Sequence, residues 1–109
     1  MNKFKQNKKL IDPVEALPGI FRRTLFYNEN IMLCHFFLKK GSEVPLHSHK
    51  EHQVGYVIKG KLKFITNEQE FITEAGDSYI FGSDEKHGAS ILEDSEVIDV
   101  FTPSREDYK

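Results

Sequence analysis

Short apolar runs alternate with polar turns along most of this chain. IFRRTLFY (20–27) and IMLCHFFL (31–38) are separated by Asn28-Glu29-Asn30. They are followed by VGYVI (54–58), KLKFIT (61–66), EFITEAG (70–76), SYIF (78–81), HGASIL (87–92) and VIDVF (97–101), each bounded by Gly, Asn, Asp or charged turn residues. The runs recur every eight to twelve residues, rich in β-branched and aromatic side chains, with no sustained 3.6-residue period. That pattern predicts an all-β sandwich or barrel and not alternating strands and helices. Pro13 and Pro18-Gly19 leave residues 14–17 as a short element or turn. We read residues 1–19 as an N-terminal arm and 20–109 as one barrel domain with a short C-terminal tail, which leaves strand patterning at Pro103 and reads as exposed.

Alternation also assigns faces. In VIDVF, Val97, Asp99 and Phe101 share one side, and Ile98 and Val100 share the other. Both sets are largely apolar, which predicts a strand buried on both sides and a carboxylate inside. A buried Asp requires a partner or a purpose; either backbone amides or an Arg hold it, or it serves as a general acid/base facing a cavity. Tyr56, Tyr79 and Phe81 fall in strand patterns and are expected in the core, as is Cys34.

Composition removes several classes of function. At 109 residues there is room for one core. A formal net charge of −2 gives no electrostatic case for nucleic acid or an anionic membrane. The lysine-rich start, MNKFKQNKKL, has no apolar stretch after it and is read as a solvated arm, not as a secretory signal. No run reaches membrane-span length, and one Cys cannot form an internal disulfide. A cytoplasmic location is expected.

Chemistry concentrates in GSEVPLHSHKEHQVGYVIKG (41–60), which carries three of the five histidines within six residues. On an extended strand His47 and His49 project side by side, half of a metal site. Gln53 follows four residues later, and His87 could return from another strand. Neutral imidazoles suit Zn, Ni, Mn or Fe. His52 is the rival to Gln53, and strand parity alone leaves the two open because a turn separates them from His49. His35 is expected to be a surface or satisfied core residue.

Gly41-x5-His47-x-His49-x3-Gln53-x6-Gly60 resembles the first cupin motif, with Gln53 where Glu is usual. Gly76-Asp77 and His87 are similar to the second, with Gly82, Asp84 and Ile91 replacing its Pro, Gly and Asn. The resemblance implies a single-domain cupin, a double-stranded β-helix or jelly-roll barrel, holding a divalent transition metal on His47, His49, Gln53 and His87, and commonly paired as a homodimer. Four neutral ligands leave the ion's full charge to attract an anionic substrate and stabilise a developing enolate, and are less suited to dioxygenase chemistry. The closing DVFTPSREDY, with Asp99, Phe101 and Arg105 at fixed spacing, is similar to the pectin-degradation cupins of the KdgF type, whose first motif also carries Gln. That likeness implies an isomerase converting 4,5-unsaturated monouronates to the linear 5-keto-4-deoxyuronate. Asp99 would shuttle the proton, Arg105 would bind a carboxylate or hydroxyl, and Phe101 would shape the pocket. For Arg105 the alternative is a tail ion pair with Glu106 or Asp107. A non-catalytic sugar-binding cupin and a metal-dependent dioxygenase are the other readings; saturable binding without turnover would mark the first and oxygen uptake the second.

Overall fold

A computed structural model describes residues 2–109. Ten strands follow in order: β1 (Val14–Leu17), β2 (Ile20–Tyr27), β3 (Met32–Leu38), β4 (Glu43–His47), β5 (His52–Lys59), β6 (Lys61–Thr66), β7 (Glu70–Glu74), β8 (Ser78–Phe81), β9 (His87–Ile91) and β10 (Ser95–Thr102). They form a six-stranded sheet, β1-β2-β3-β10-β5-β8, facing a four-stranded sheet, β4-β9-β6-β7. The pairings between neighbours are antiparallel. This is the all-β architecture expected from the alternation of apolar runs and turns, in the jelly-roll arrangement that the cupin resemblance implies. No helix among the described residues is long and apolar enough to cross a membrane.

Period-two burial builds the core. On β3, Met32, Cys34, Phe36 and Leu38 point inward; β10 contributes Val97 and Phe101, β6 Leu62 and Phe64, and β8 Tyr79 and Phe81. Burying each large apolar side chain contributes about 1.5–3 kcal/mol before the entropy of ordering is subtracted. Gly60 turns β5 into β6 in the left-handed region (φ 96°), and the Ser95 side chain and Asp94 carbonyl crowd the space a Cβ would need.

The structure departs from the sequence reading in several places. The sheet begins at Val14, inside the segment read as an arm, because β1 pairs with β2 as an edge strand, where flanking prolines are tolerated; Met1 lies outside the described residues. β10 is deeply buried on one side only, since Glu96, Ile98 and Val100 remain half-buried on the outer face. Tyr56 shares that outer face, with Val54 and Ile58, and is 46% exposed. The tail is only partly exposed: Ser104 Oγ donates to the carbonyl of Ile31 at 2.9 Å, and the Tyr108 carbonyl accepts from Thr24 Oγ1 at 2.6 Å. The Tyr108 ring packs edge-on to Phe36 and Phe101 between the Arg22 and Arg105 guanidiniums, 4.1 and 3.9 Å from its centroid. Finally, His35 is buried but unsatisfied. Neither ring nitrogen has a hydrogen-bond partner, and the Glu96 carboxylate stops 3.8 Å away.

Candidate metal centre and the carboxylate beside it

His47 ends β4 and pairs directly with His87 at the start of β9. The strand expected to carry both His47 and His49 stops at His47, after an irregularity in the β4–β9 register following Val44. His49 is held instead in the loop before β5, where its carbonyl accepts from the Asp84 amide at 2.8 Å. Asp84 is left-handed (φ 61°), at the position where the cupin motif has Gly; Asp is among the few other residues that tolerate this region. The departure from the motif therefore keeps the loop shape.

The three rings converge, with centroids 4.5–5.8 Å apart, and one nitrogen of each lies within 4.8 Å of the others. Each Nδ1 is committed elsewhere: His47 to the Pro45 carbonyl at 2.8 Å, His49 to that of Glu51 at 2.9 Å, His87 to that of Glu85 at 2.8 Å. A carbonyl only accepts, so each Nδ1 carries the proton and each Nε2 keeps its lone pair. Three outward-bonded, inward-basic imidazoles are an arrangement that could hold a metal ion. Phe81 stacks flat on His87, centroids 4.2 Å apart and 3° from parallel. Burial pushes His87 down to about 4 and lowers His49, with Arg105 adding to the effect on His49, so both rings stay neutral.

Gln53, facing inward on β5, brings Oε1 to 3.1 Å from His49 Nε2. It lines the same cavity as Asp99. With His49 Nδ1 protonated, His49 Nε2 and Gln53 Oε1 are both acceptors, a pair of lone pairs that a bound cation would satisfy. The donors present fit a divalent transition metal. His52 lies on the opposite face of β5, exposed, with Nδ1 accepting from the Ser83 amide at 3.3 Å.

Asp99 is 4% exposed and borders the same internal cavity, of about 110 Å³, as His47, His87, Gln53 and Arg105. Its Oδ1 accepts from the Tyr79 hydroxyl at 2.7 Å. Burial pushes it up to about 6, against the opposing hydrogen bond from Tyr79. Phe101 is fully buried edge-on to His49. Arg105 lines the cavity, and its Nη2 and Nε grip Asp107 at 3.0 and 3.3 Å, the tail ion pair weighed from the sequence. Cys34 is packing: burial raises its thiol to about 11.

Tyr79 is the residue that sequence reasoning placed in the core without a role. A signal was present: Tyr79 shares the inward parity of Phe81, and a buried phenol needs a partner for its hydroxyl.

Two facing antiparallel sheets with imidazoles gathered at one end define a cupin, and the chain belongs to that family: the cupin domain pattern matches residues 34–101. It is 32% identical over 92 residues to the pectin degradation protein KdgF of Dickeya dadantii, covering 83% of this chain and 84% of that one. The solved structure of KdgF from Halomonas sp. superposes with a TM-score of 0.89 at 28% identity, over 95% of this chain and 98% of that one. An RmlC-like cupin from Shewanella frigidimarina also gives 0.89 at 28% identity, over 94% and 93%.

Proposed function

We propose that this chain is a metal-dependent isomerase acting on 4,5-unsaturated monouronates from pectin or alginate breakdown, giving the linear 5-keto-4-deoxyuronate. The observation that carries the reading is one cavity lined together by His47, His87, Gln53 and Asp99. The similarity to two KdgF proteins supports the substrate class. His47, His49, Gln53 and His87 would hold a divalent ion (Zn, Ni, Mn or Fe), which supplies Lewis-acid stabilisation of the negative oxygen as an enolate develops. The protein does the remaining work. Arg105, a planar fork at the cavity, binds the substrate carboxylate or a hydroxyl. Phe101 packs against the sugar and keeps bulk water from it. As the ring opens, the bond from the anomeric carbon to the ring oxygen breaks and the hemiacetal hydroxyl gives its proton to the Asp99 carboxylate. One proton then arrives, from Asp99, on the carbon next to the new ketone. Composition is unchanged.

The protein would act in the cytoplasm as a homodimer, for which the outward Val54, Tyr56, Ile58 and Ile80 offer apolar surface. Ultraviolet absorbance of unsaturated galacturonate should fall on incubation with the metal-loaded protein, and Asp99→Ala should abolish that fall while metal content stays unchanged. Full activity of Asp99→Ala, or oxygen uptake in place of isomerisation, overturns the reading.

A further inference from the structure

We propose that Tyr79 is a positioning residue for Asp99, acting across a gap that exists because residue 55 is glycine; the inference rests on the reading of Asp99 as the proton carrier. In the order β10-β5-β8, Asp99 pairs with Gly55 and Gly55 pairs with Tyr79, so the three form one row across three strands. Asp99 and Tyr79 are therefore two strand spacings apart, about 10 Å along the row. Their side chains nevertheless meet at 2.7 Å, Tyr79 Oη donating to Asp99 Oδ1. The meeting takes place directly over Gly55. A Cβ there would overlap Tyr79 Cζ and Oη and Asp99 Oδ1, closer than real Cβ contacts allow.

Glycine in mid-strand weakens a sheet and wants a reason. A left-handed backbone is not the reason, since Gly55 is absent from the chain's positive-φ residues. It is also not a bulge, because the β5–β8 register runs unbroken through it. What remains is space: the missing side chain is the volume through which the phenol reaches the carboxylate.

Asp99 needs that reach. The terminal torsion of Asp is broad and two-fold, so packing alone does not fix which oxygen faces the cavity. Tyr79 holds one of the Asp99 oxygens directly, Oη donating to Oδ1 at 2.7 Å. Gln53 lines the same cavity but turns Oε1 to His49 Nε2, 3.1 Å away, which leaves Tyr79 as the hydrogen-bond partner that fixes the carboxyl group. With the phenol in place the carboxyl group presents a fixed face to a carbon atom in the cavity; without it the group swings, and proton delivery slows while substrate binding by Arg105 is untouched.

The test uses the metal-loaded protein and unsaturated galacturonate. Tyr79→Phe keeps the ring and should lower kcat about 10- to 100-fold, with KM and bound metal unchanged. Gly55→Ala should do the same by separating the pair, and the double variant should be no slower than the slower single one, because both changes remove one contact. Should Gly55→Ala fail to fold, Tyr79→Phe still decides. If Tyr79→Phe keeps kcat within about twofold while Asp99→Ala has lost activity, the positioning role is wrong and the reading of Asp99 stands. A loss confined to KM or to metal content, or a double variant slowed by the product of the single effects, also overturns it. If Asp99→Ala is itself fully active, the underlying reading fails and this inference fails with it.

Discussion

His87 and His35 are equally buried, each 4% exposed, and burial lowers the pKa of both. They differ in what holds the ring. His87 Nδ1 donates to the Glu85 carbonyl, which turns Nε2 and its lone pair toward two other imidazoles. His35 has no hydrogen bond at either nitrogen and lies on the outer face of β3, near Lys8 and Glu96. Dryness keeps an imidazole neutral in both places; only the carbonyl two residues away makes it a ligand aimed in one direction. A depressed His pKa is therefore poor evidence of a site without an oriented second nitrogen.

The largest expected effect separates the two residues outright. His87→Ala should lose stoichiometric metal and all turnover, whereas His35→Leu should keep both within about twofold. Chelation should lower the melting temperature of His35→Leu as it does that of the parent, by roughly 10 °C if the ion is present at about 100 times its dissociation constant, and should leave His87→Ala unmoved. Equal loss of metal from both variants, measured by elemental analysis, would end the comparison.

A smaller effect is read at His35 as the part of the acid destabilisation that its replacement removes. Desolvation, helped by Lys8, holds its folded-state pKa below the ordinary 6.5, so between those two values the unfolded chain binds more protons than the native one. Its contribution to stability is complete above about pH 6.5 and is lost as the pH falls toward the depressed folded value, with a slope of at most about 1.4 kcal/mol per pH unit. Denaturant melts of the metal-loaded protein at pH 7 and pH 5 should show that loss, and His35→Leu should reduce it. The smallest effect extends the contrast between oriented and merely buried groups to Arg105. Asp107 is largely exposed, so Asp107→Ala should cost less than about 1 kcal/mol of stability. Freeing the guanidinium should still raise KM by about twofold to fivefold, which steady-state kinetics can resolve.

Local pattern made much of this legible. Alternation placed Asp99 and Phe101 on one shared side of a strand, and turn chemistry marked most of the strand ends. The spacing of His47, His49 and His87 named the imidazoles that converge. What escaped the sequence depends on which strands become neighbours. Tyr56 and Tyr79 look alike in their runs, yet one faces solvent and the other meets Asp99, because β8 lies beside β5 and β5 beside β10. Strand parity left Gln53 and His52 open, and only the motif spacing favoured Gln53, because the turn before β5 has no local pattern that fixes the face. The return of the tail rests on Thr24 and Tyr108, 84 residues apart, a contact that no window of sequence contains.

Strand β5 turns Gln53, Gly55 and Val57 toward the cavity and Val54, Tyr56 and Ile58 away from it. Slipping it by one position would exchange the whole set, swinging His52 inward and driving Val54 or Tyr56 into the gap beside Asp99. A lineage carrying this fold is thus freer to change the composition of residues 48–51 than their number, and one inserted codon there would do more damage than many substitutions.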